Sequence, residues 1–209
     1  MREEASVARK EIIVAGGSAG AVEALWTLVQ GLPHDLDAAV LAVIHIPASS
    51  PGRLVEILQR RTMLRVTWAR DGDAIERGHI YIAPPDHHLV VDAGHMRLTH
   101  TPPEHHSRPA IDPLFRSAAL AYGPRVIAVV LSGRLDDGTT GLQAVKERGG
   151  TTVVQDPADA AHPDMPRSAL AHTTVDHVER ASNLGALLGR LVGESADAGA
   201  EDEVGSPSV

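Results

Sequence analysis

At 209 residues with 43% hydrophobic side chains, the chain has the size and apolar content of one α/β domain with a continuous core. Aromatic residues are only 2% and the net charge is -8, which argues against nucleic-acid recognition, since base stacking needs exposed rings and phosphates attract basic surfaces. The absence of cysteine removes disulfides, thiol catalysis and Cys-zinc sites, and no apolar run approaches the ~20 residues of a membrane span.

The predicted elements alternate between strand and helix. Ile12-Ile13-Val14-Ala15 is an apolar, β-branched run suited to a strand covered on both faces. The turn Gly16-Gly17-Ser18-Ala19-Gly20 then leads into a helix. It fits the G-x-S-x-G nucleophile-elbow pattern, in which glycines permit a sharp turn and small neighbours leave the hydroxyl uncovered. Ala39–Ile44 (AVLAVI) is a second continuous apolar run. Pro47 and Pro51 punctuate the loop after it, and Gly52–Arg61 reads as a helix with Leu54, Ile57 and Leu58 on one face. Arg65–Trp68 and Ile80–Ala83 are short strands, and Leu89–Val91 with Met96–Leu98 form a hairpin around Asp92-Ala93-Gly94.

The polar, proline-bearing stretch Thr101–Pro109 leads to a helix over Ile111–Tyr122. Arg125–Leu131 (RVIAVVL) is the third buried strand, followed by a Gly-rich turn and a helix over Thr140–Arg148. Thr151–Val154 gives another strand and Asn183–Leu191 a closing helix. This order predicts an α/β fold: a doubly wound, mostly parallel sheet with helices on both faces and a β-hairpin insertion. One catalytic-type domain is expected over 1–193. Beyond it, Glu194, Asp197, Glu201, Asp202 and Glu203 stand among Gly, Ala and Ser, which predicts an acidic disordered tail over 194–209. The N-terminal MREEASVARK lacks the apolar stretch of a signal peptide, so a soluble, cytoplasmic chain is expected.

In such folds function gathers at the carboxyl ends of the strands. The residues just past the three buried runs are Ser18, His45 and the segment Ser132 to Asp137. A serine hydroxyl needs an adjacent base to become a nucleophile, and histidine, which titrates near neutrality, is the side chain for that role. The imidazole in turn needs a carboxylate to fix its tautomer, for which Asp136 and Asp137 are both available. Their order, Ser-His-Asp, is not the Ser-Asp-His order of an α/β-hydrolase.

Two rival chemistries read less well. Ala15-x-Gly17-x-x-Gly20 loosely matches a dinucleotide-binding turn, but the second strand ends Ile44-His45-Ile46 without the acid that would take the ribose hydroxyls. The pairs His87-His88 and His105-His106 lack the spacing of a helical metal site, and adjacent strand residues face opposite ways. They are read as loop and surface histidines, and no metal or cofactor is expected.

With these residues in view, the chain resembles the catalytic domain of the CheB-type chemotaxis receptor protein-glutamate methylesterases. The resemblance runs from Ile12 to Val192 and is carried by IIVAGGSAGAVEAL, AVLAVIHIP, DGDAIERGHIYIAPPDHHLVV, HSRPAIDPLFRSAA, AVVLSGRLDDGTTGLQAVKERGGTTVVQD and MPRSAL. It implies a hydrolase that releases methanol from glutamate γ-methyl esters on a methylated chemoreceptor or related signalling protein, and that also deamidates glutamine. It implies Ser18 as nucleophile, His45 as base and Asp137, rather than Asp136, as the triad acid.

The sequence departs from the family pattern in three places. Ala19 follows Ser18 where the family usually has threonine, and Leu131-Ser132-Gly133-Arg134-Leu135 stands for the usual L-T-G-M-G. Backbone N–H groups of Ala19 and Arg134 remain candidates for an oxyanion hole, which needs no side chain. Only about ten residues precede the first strand. A stand-alone domain without the family's receiver domain is therefore expected, free of phosphorylation control in cis. The altered surroundings of the serine also admit a weakly active or non-catalytic regulatory module that binds a receptor or signalling partner.

Overall fold

Strands that are apolar on both faces must be covered by helices on both sides. The computed structural model describes residues 9–46, 52–92 and 94–204, with side chains described through 194. In chain order the elements are β1 (Ile12–Gly17), α1 (Ala21–Gln30), β2 (Ala39–Ile44), α2 (Leu54–Gln59), β3 (Arg65–Trp68), β4 (His79–Ile82), β5 (His88–Asp92), β6 (His95–Thr99), α3 (Ile111–Tyr122), β7 (Val126–Val130), α4 (Thr139–Glu147), β8 (Thr151–Gln155), α5 (Asp164–His172), β9 (His177–Glu179) and α6 (Ala181–Val204).

Among the described residues, seven strands form one parallel sheet in the order β3-β4-β2-β1-β7-β8-β9. The antiparallel β5–β6 hairpin stands apart from it. From β1 the chain adds β2, places β3 at the edge and inserts β4 between them, then returns to β1's other side for β7, β8 and β9. Strand order therefore reverses at β1, and a crevice opens outside the carboxyl ends of the strands at such a switch point.

Alternate strand residues feed two cores. Ile13, Ala15, Val40 and Ile127 pack with Leu25 and Leu28 of α1 and Leu184 and Leu188 of α6. Ile12, Val14, Leu41 and Val130 pack instead with Ile111 and Phe115 of α3, Leu142 of α4, Met165 of α5 and Leu89 and Met96 of the hairpin. The doubly wound sheet, the helices on both faces and the hairpin insertion all agree with the sequence expectation.

Three differences are instructive. Helix α5 and strand β9 were not expected. Pro163 and Pro166 obscure α5, although proline is tolerated in a first turn because its missing N–H is one of the unpartnered donors there. Strand β9 is three residues long at the sheet edge and has no apolar run of its own. Helix α6 continues to Val204, so the stretch 194–204, assigned from sequence to a disordered tail, carries helical backbone. Propagation adds a hydrogen bond per residue once a helix is nucleated, and the buried Leu184 and Leu188 anchor this one. The proline-punctuated segment 47–51 and residues 205–209 lie outside the described residues. Among the described residues, no helix is long and apolar enough to cross a membrane.

Candidate active site

The switch point sets the ends of β1, β2 and β7 side by side. Gly17 pairs with Ile44, and the His45 N–H donates to Gly17 O at 3.0 Å, so Ser18 and His45 are the next residues out on neighbouring strands. On the other flank the Ser18 N–H donates to Ser132 O at 3.0 Å. The expected sharp turn is present, but the left-handed residue is Gly20 (φ 74°), the N-cap of α1, and not Ser18. A Cβ at Gly20 would lie 2.8 Å from both Ala161 Cβ and Ser132 Oγ, so conformation and neighbours both require glycine.

The buried Ser132 ties this elbow together, its Oγ donating to Ala19 O at 2.8 Å and accepting from the His162 N–H at 2.9 Å. Across from Ser18 the wall is glycine again. A Cβ on Gly133 would approach Ser18 Cβ to 3.1 Å and the Met165 methyl to 2.7 Å. Among the described residues, no hydrogen bond uses the backbone N–H of Ala19 or of Arg134.

Asp137 is buried and accepts three hydrogen bonds: from His45 Nε2 at 2.8 Å, from the Ile111 N–H at 2.7 Å and from the Asp112 N–H at 3.0 Å. The last two are the opening N–H groups of α3, which have no partner within the helix. Burial pushes the Asp137 carboxyl up. The His45 hydrogen bond, the Ile111 N–H, the His45 charge and the Asp112 N–H outweigh it and hold the group below 3.8. Because Nε2–H is given to Asp137, the neutral ring of His45 keeps its lone pair on Nδ1. The chymotrypsin-type triad orients the ring the other way, with Nδ1–H on the acid. Asp136, the alternative acid, is exposed and lies 3.5 Å from His105 Nδ1.

A second carboxylate mirrors the first. Asp112, in the first turn of α3 and 0% exposed, accepts the Gly141 N–H of α4 at 2.7 Å, the Thr140 hydroxyl and His105 Nε2 at 3.0 Å. Each helix thus begins on an aspartate supplied from the start of the other. Gly141 allows the approach, since a Cβ there would sit 2.5 Å from Phe115 Cβ and 2.9 Å from Asp112 Oδ1.

Sequence reasoning missed both Asp112 and His105. An acid in a first helical turn is ordinary for the helix dipole, and His105 looked like one of a surface pair. Its side chain is only 31% exposed, and its Nε2 also lies 3.9 Å from Asp137 Oδ1. The His87-His88 pair belongs to the hairpin framework: the buried His88 accepts the Ala110 N–H on Nδ1 and donates from Nε2 to Pro102 O, each at 3.2 Å. A cavity of about 480 Å³ lined by Gly31, Leu36, Asp37 and Val192 lies toward the amino-terminal ends of the strands, and neither Ser18, His45 nor Asp137 lines it.

Residues 13–188 match the family described as CheB methylesterase. A protein-glutamate methylesterase/protein-glutamine glutaminase 2 of Anaeromyxobacter dehalogenans is 40% identical over 174 residues, which are 83% of this chain and 51% of that protein. The chain therefore spans about half the length of that relative. A putative protein-glutamate methylesterase/protein-glutamine glutaminase of Leptospira interrogans is 37% identical over 182 residues, 87% of this chain and 94% of the relative. The crystal structure of the Thermotoga maritima CheB methylesterase catalytic domain superposes with a TM-score of 0.84 at 32% identity, covering 88% of this chain and 99% of that one. The matched span contains the elbow, the strand-end histidine and the helix-capping aspartate, and on that extent of sequence and fold the chain belongs to the CheB methylesterase family.

Proposed function

We propose that the protein is a serine carboxyl-ester hydrolase acting in the cytoplasm on glutamate γ-methyl esters of a methylated chemoreceptor or related signalling protein. The observation that carries this reading is the 2.8 Å bond from His45 Nε2 to Asp137, with Ser18 in register beside His45. His45 Nδ1 takes the Ser18 proton as Oγ adds to the ester carbonyl. The negative charge gathering on the carbonyl oxygen meets the N–H groups of Ala19 and Arg134. Collapse expels methoxide, which leaves as methanol with the proton from His45, and a glutamyl-Ser18 ester remains. Water, deprotonated by His45, then releases the glutamate carboxylate and restores the serine. A glutamine side chain follows the same course with ammonia as the leaving group. Asp137 keeps His45 in the required tautomer and offsets the imidazolium charge.

Ser18→Ala tests the assignment: methanol release from a methyl-labelled receptor is expected to fall to background while the far-ultraviolet circular dichroism is unchanged. Undiminished release by the variant removes Ser18 from the mechanism. Receptor binding without turnover by the unsubstituted protein supports instead the regulatory module, to which Ala19 beside the serine points.

A further inference from the structure

Behind the proposed triad acid lies a second layer of charge that the hydrolytic mechanism does not use. Asp112 and Asp137 are both buried, and an oxygen of each lies within 4.8 Å of the other and of a His105 ring nitrogen. Two carboxylates so close in a low-dielectric setting oppose each other's ionisation unless a positive charge stands with them. We propose that His105, as an imidazolium, is a positioning residue: it neutralises the Asp112–Asp137 pair and so keeps Asp137 an acceptor aimed at His45. The inference rests on the esterase reading of Ser18, His45 and Asp137.

The charged groups on His105 are Asp112 at 3.0 Å from α3 and Asp136 at 3.5 Å and Asp137 at 3.9 Å from the loop before α4; Arg116 of α3, at 3.8 Å, and the Thr140 hydroxyl of α4 meet the same Asp112 carboxylate. Within its own loop Glu104 is drawn away to Arg116 at 2.8 Å. Partial burial disfavours the charged ring, but the charges of Asp137 and Asp112, the Asp112 hydrogen bond and Asp136 together raise its proton affinity above the ordinary value of 6.5.

The chain spends conformational energy to put the ring there. His105 (φ 49°) and His106 (φ 60°) are consecutive left-handed residues, closed by mutual hydrogen bonds between Glu104 and Ser107. That is the pattern of a type I′ turn, where Asn-Gly is the usual sequence. The same three side chains have the composition of a cation site, but their oxygens already accept the Ile111, Asp112 and Gly141 N–H groups and the Thr140 hydroxyl. A metal would have to share those oxygens with the caps of two helices.

The test uses the rate at which a fluorophosphonate ester labels Ser18 in the full chain, followed against pH, with His105→Gln and His105→Lys. The glutamine keeps a donor for Asp112 and drops the charge; the lysine keeps the charge. At neutral pH, His105→Gln is expected to label about tenfold more slowly, the factor equivalent to one pKa unit. The unsubstituted protein is expected to slow as pH rises past the titration of His105. His105→Lys is expected to recover the rate and hold it to higher pH, because an ammonium stays charged to about pH 10. Labelling of His105→Gln at the original rate with the original pH profile overturns the proposal. Equal slowing of both variants with a shared loss of thermal stability assigns His105 to packing and overturns it as well. No labelling of the unsubstituted protein condemns the esterase reading itself. The charge arrangement is then judged by the NMR titration of the His105 ring. Its midpoint should lie above 6.5 and fall in Asp112→Asn; an ordinary midpoint that Asp112→Asn does not move overturns the inference.

Discussion

Three helices begin near Ser18, and they treat their opening turns differently. Those of α3 and α4 are filled by buried carboxylates, Asp137 on the first and Asp112 on the second. That of α1 starts at Gly20 with no side-chain cap, preceded by an alanine whose N–H is not used among the described residues. An N-terminal turn favours negative charge by ~0.3–1 kcal/mol, and by up to ~2 where partly buried. Standing charge is thus lodged on the two helices behind His45, while the turn beside the serine stays open, as the proposed mechanism requires for charge that exists only during the reaction. The first-turn acid of α1, Glu23, is exposed, and among the described residues its carboxylate accepts none of the opening N–H groups; an acid that did so would place a permanent anion where the proposed oxyanion forms.

The largest expected break of that contrast is Asp137→Asn. The amide presents an N–H₂ where only donors converge, so either His45 or the start of α3 loses its acceptor. Methanol release is expected to fall by about 10³- to 10⁴-fold, as when the acid of a chymotrypsin-type triad becomes an amide. Stability is expected to fall by about 1–3 kcal/mol, the range for leaving buried donors unpaired. The stability that Asp137 contributes is present above 3.8, the ordinary carboxyl value, and is lost as pH falls through its depressed folded value. The acid limb of a pH-denaturation curve should therefore be shallower in the asparagine variant. A rate loss below tenfold would mean that Asp137 serves α3 more than His45.

Asp112→Ala probes the other filled helix and should divide differently between stability and rate. It strands the Gly141 N–H, the Thr140 hydroxyl and the charge on His105, and is expected to cost about 2–4 kcal/mol in urea denaturation. At a temperature where the variant is folded, the rate is expected to drop by no more than about the factor of ten that loss of one nearby charge produces. A larger kinetic than structural cost would make the two carboxylates one catalytic unit and erase the distinction drawn between them.

The residues on the strand ends were legible because parallel neighbours carry their successors to one edge. Once Ile12–Ala15, Ala39–Ile44 and Arg125–Leu131 read as buried strands, Ser18, His45 and the Asp136-Asp137 pair had to emerge together. Choosing Asp137 over Asp136 was not possible from spacing, since it depends on which carboxylate turns inward to the start of α3. The role of Asp112 and His105 was hidden for a related reason. Their partners come from α3, α4 and a left-handed turn, and they meet only because Gly141 lets two helices approach. Strand β9 was invisible because its register against β8, rather than its own His177-Val178-Glu179, makes it a strand.

Leu135 joins the two sides of the comparison, because its loop runs from Arg134, whose N–H donates no hydrogen bond among the described residues, to Asp137, which accepts the opening N–H groups of α3. It is 65% exposed and left-handed (φ 63°), a conformation in which an L side chain costs ~1–2 kcal/mol and glycine costs none. Replacing it by glycine recovers that cost but adds backbone freedom to the unfolded chain, worth ~0.5–1 kcal/mol against folding. Leu135→Gly is therefore expected to stabilise the protein by up to about 1 kcal/mol in urea denaturation. Its KM for the receptor ester is expected to stay within about twofold, less than the ~1–3 kcal/mol that loss of a buried apolar contact produces. A stabilised variant with a KM raised tenfold would show instead that the strained leucine is held out to meet the substrate, and that the loop trades folding energy for recognition.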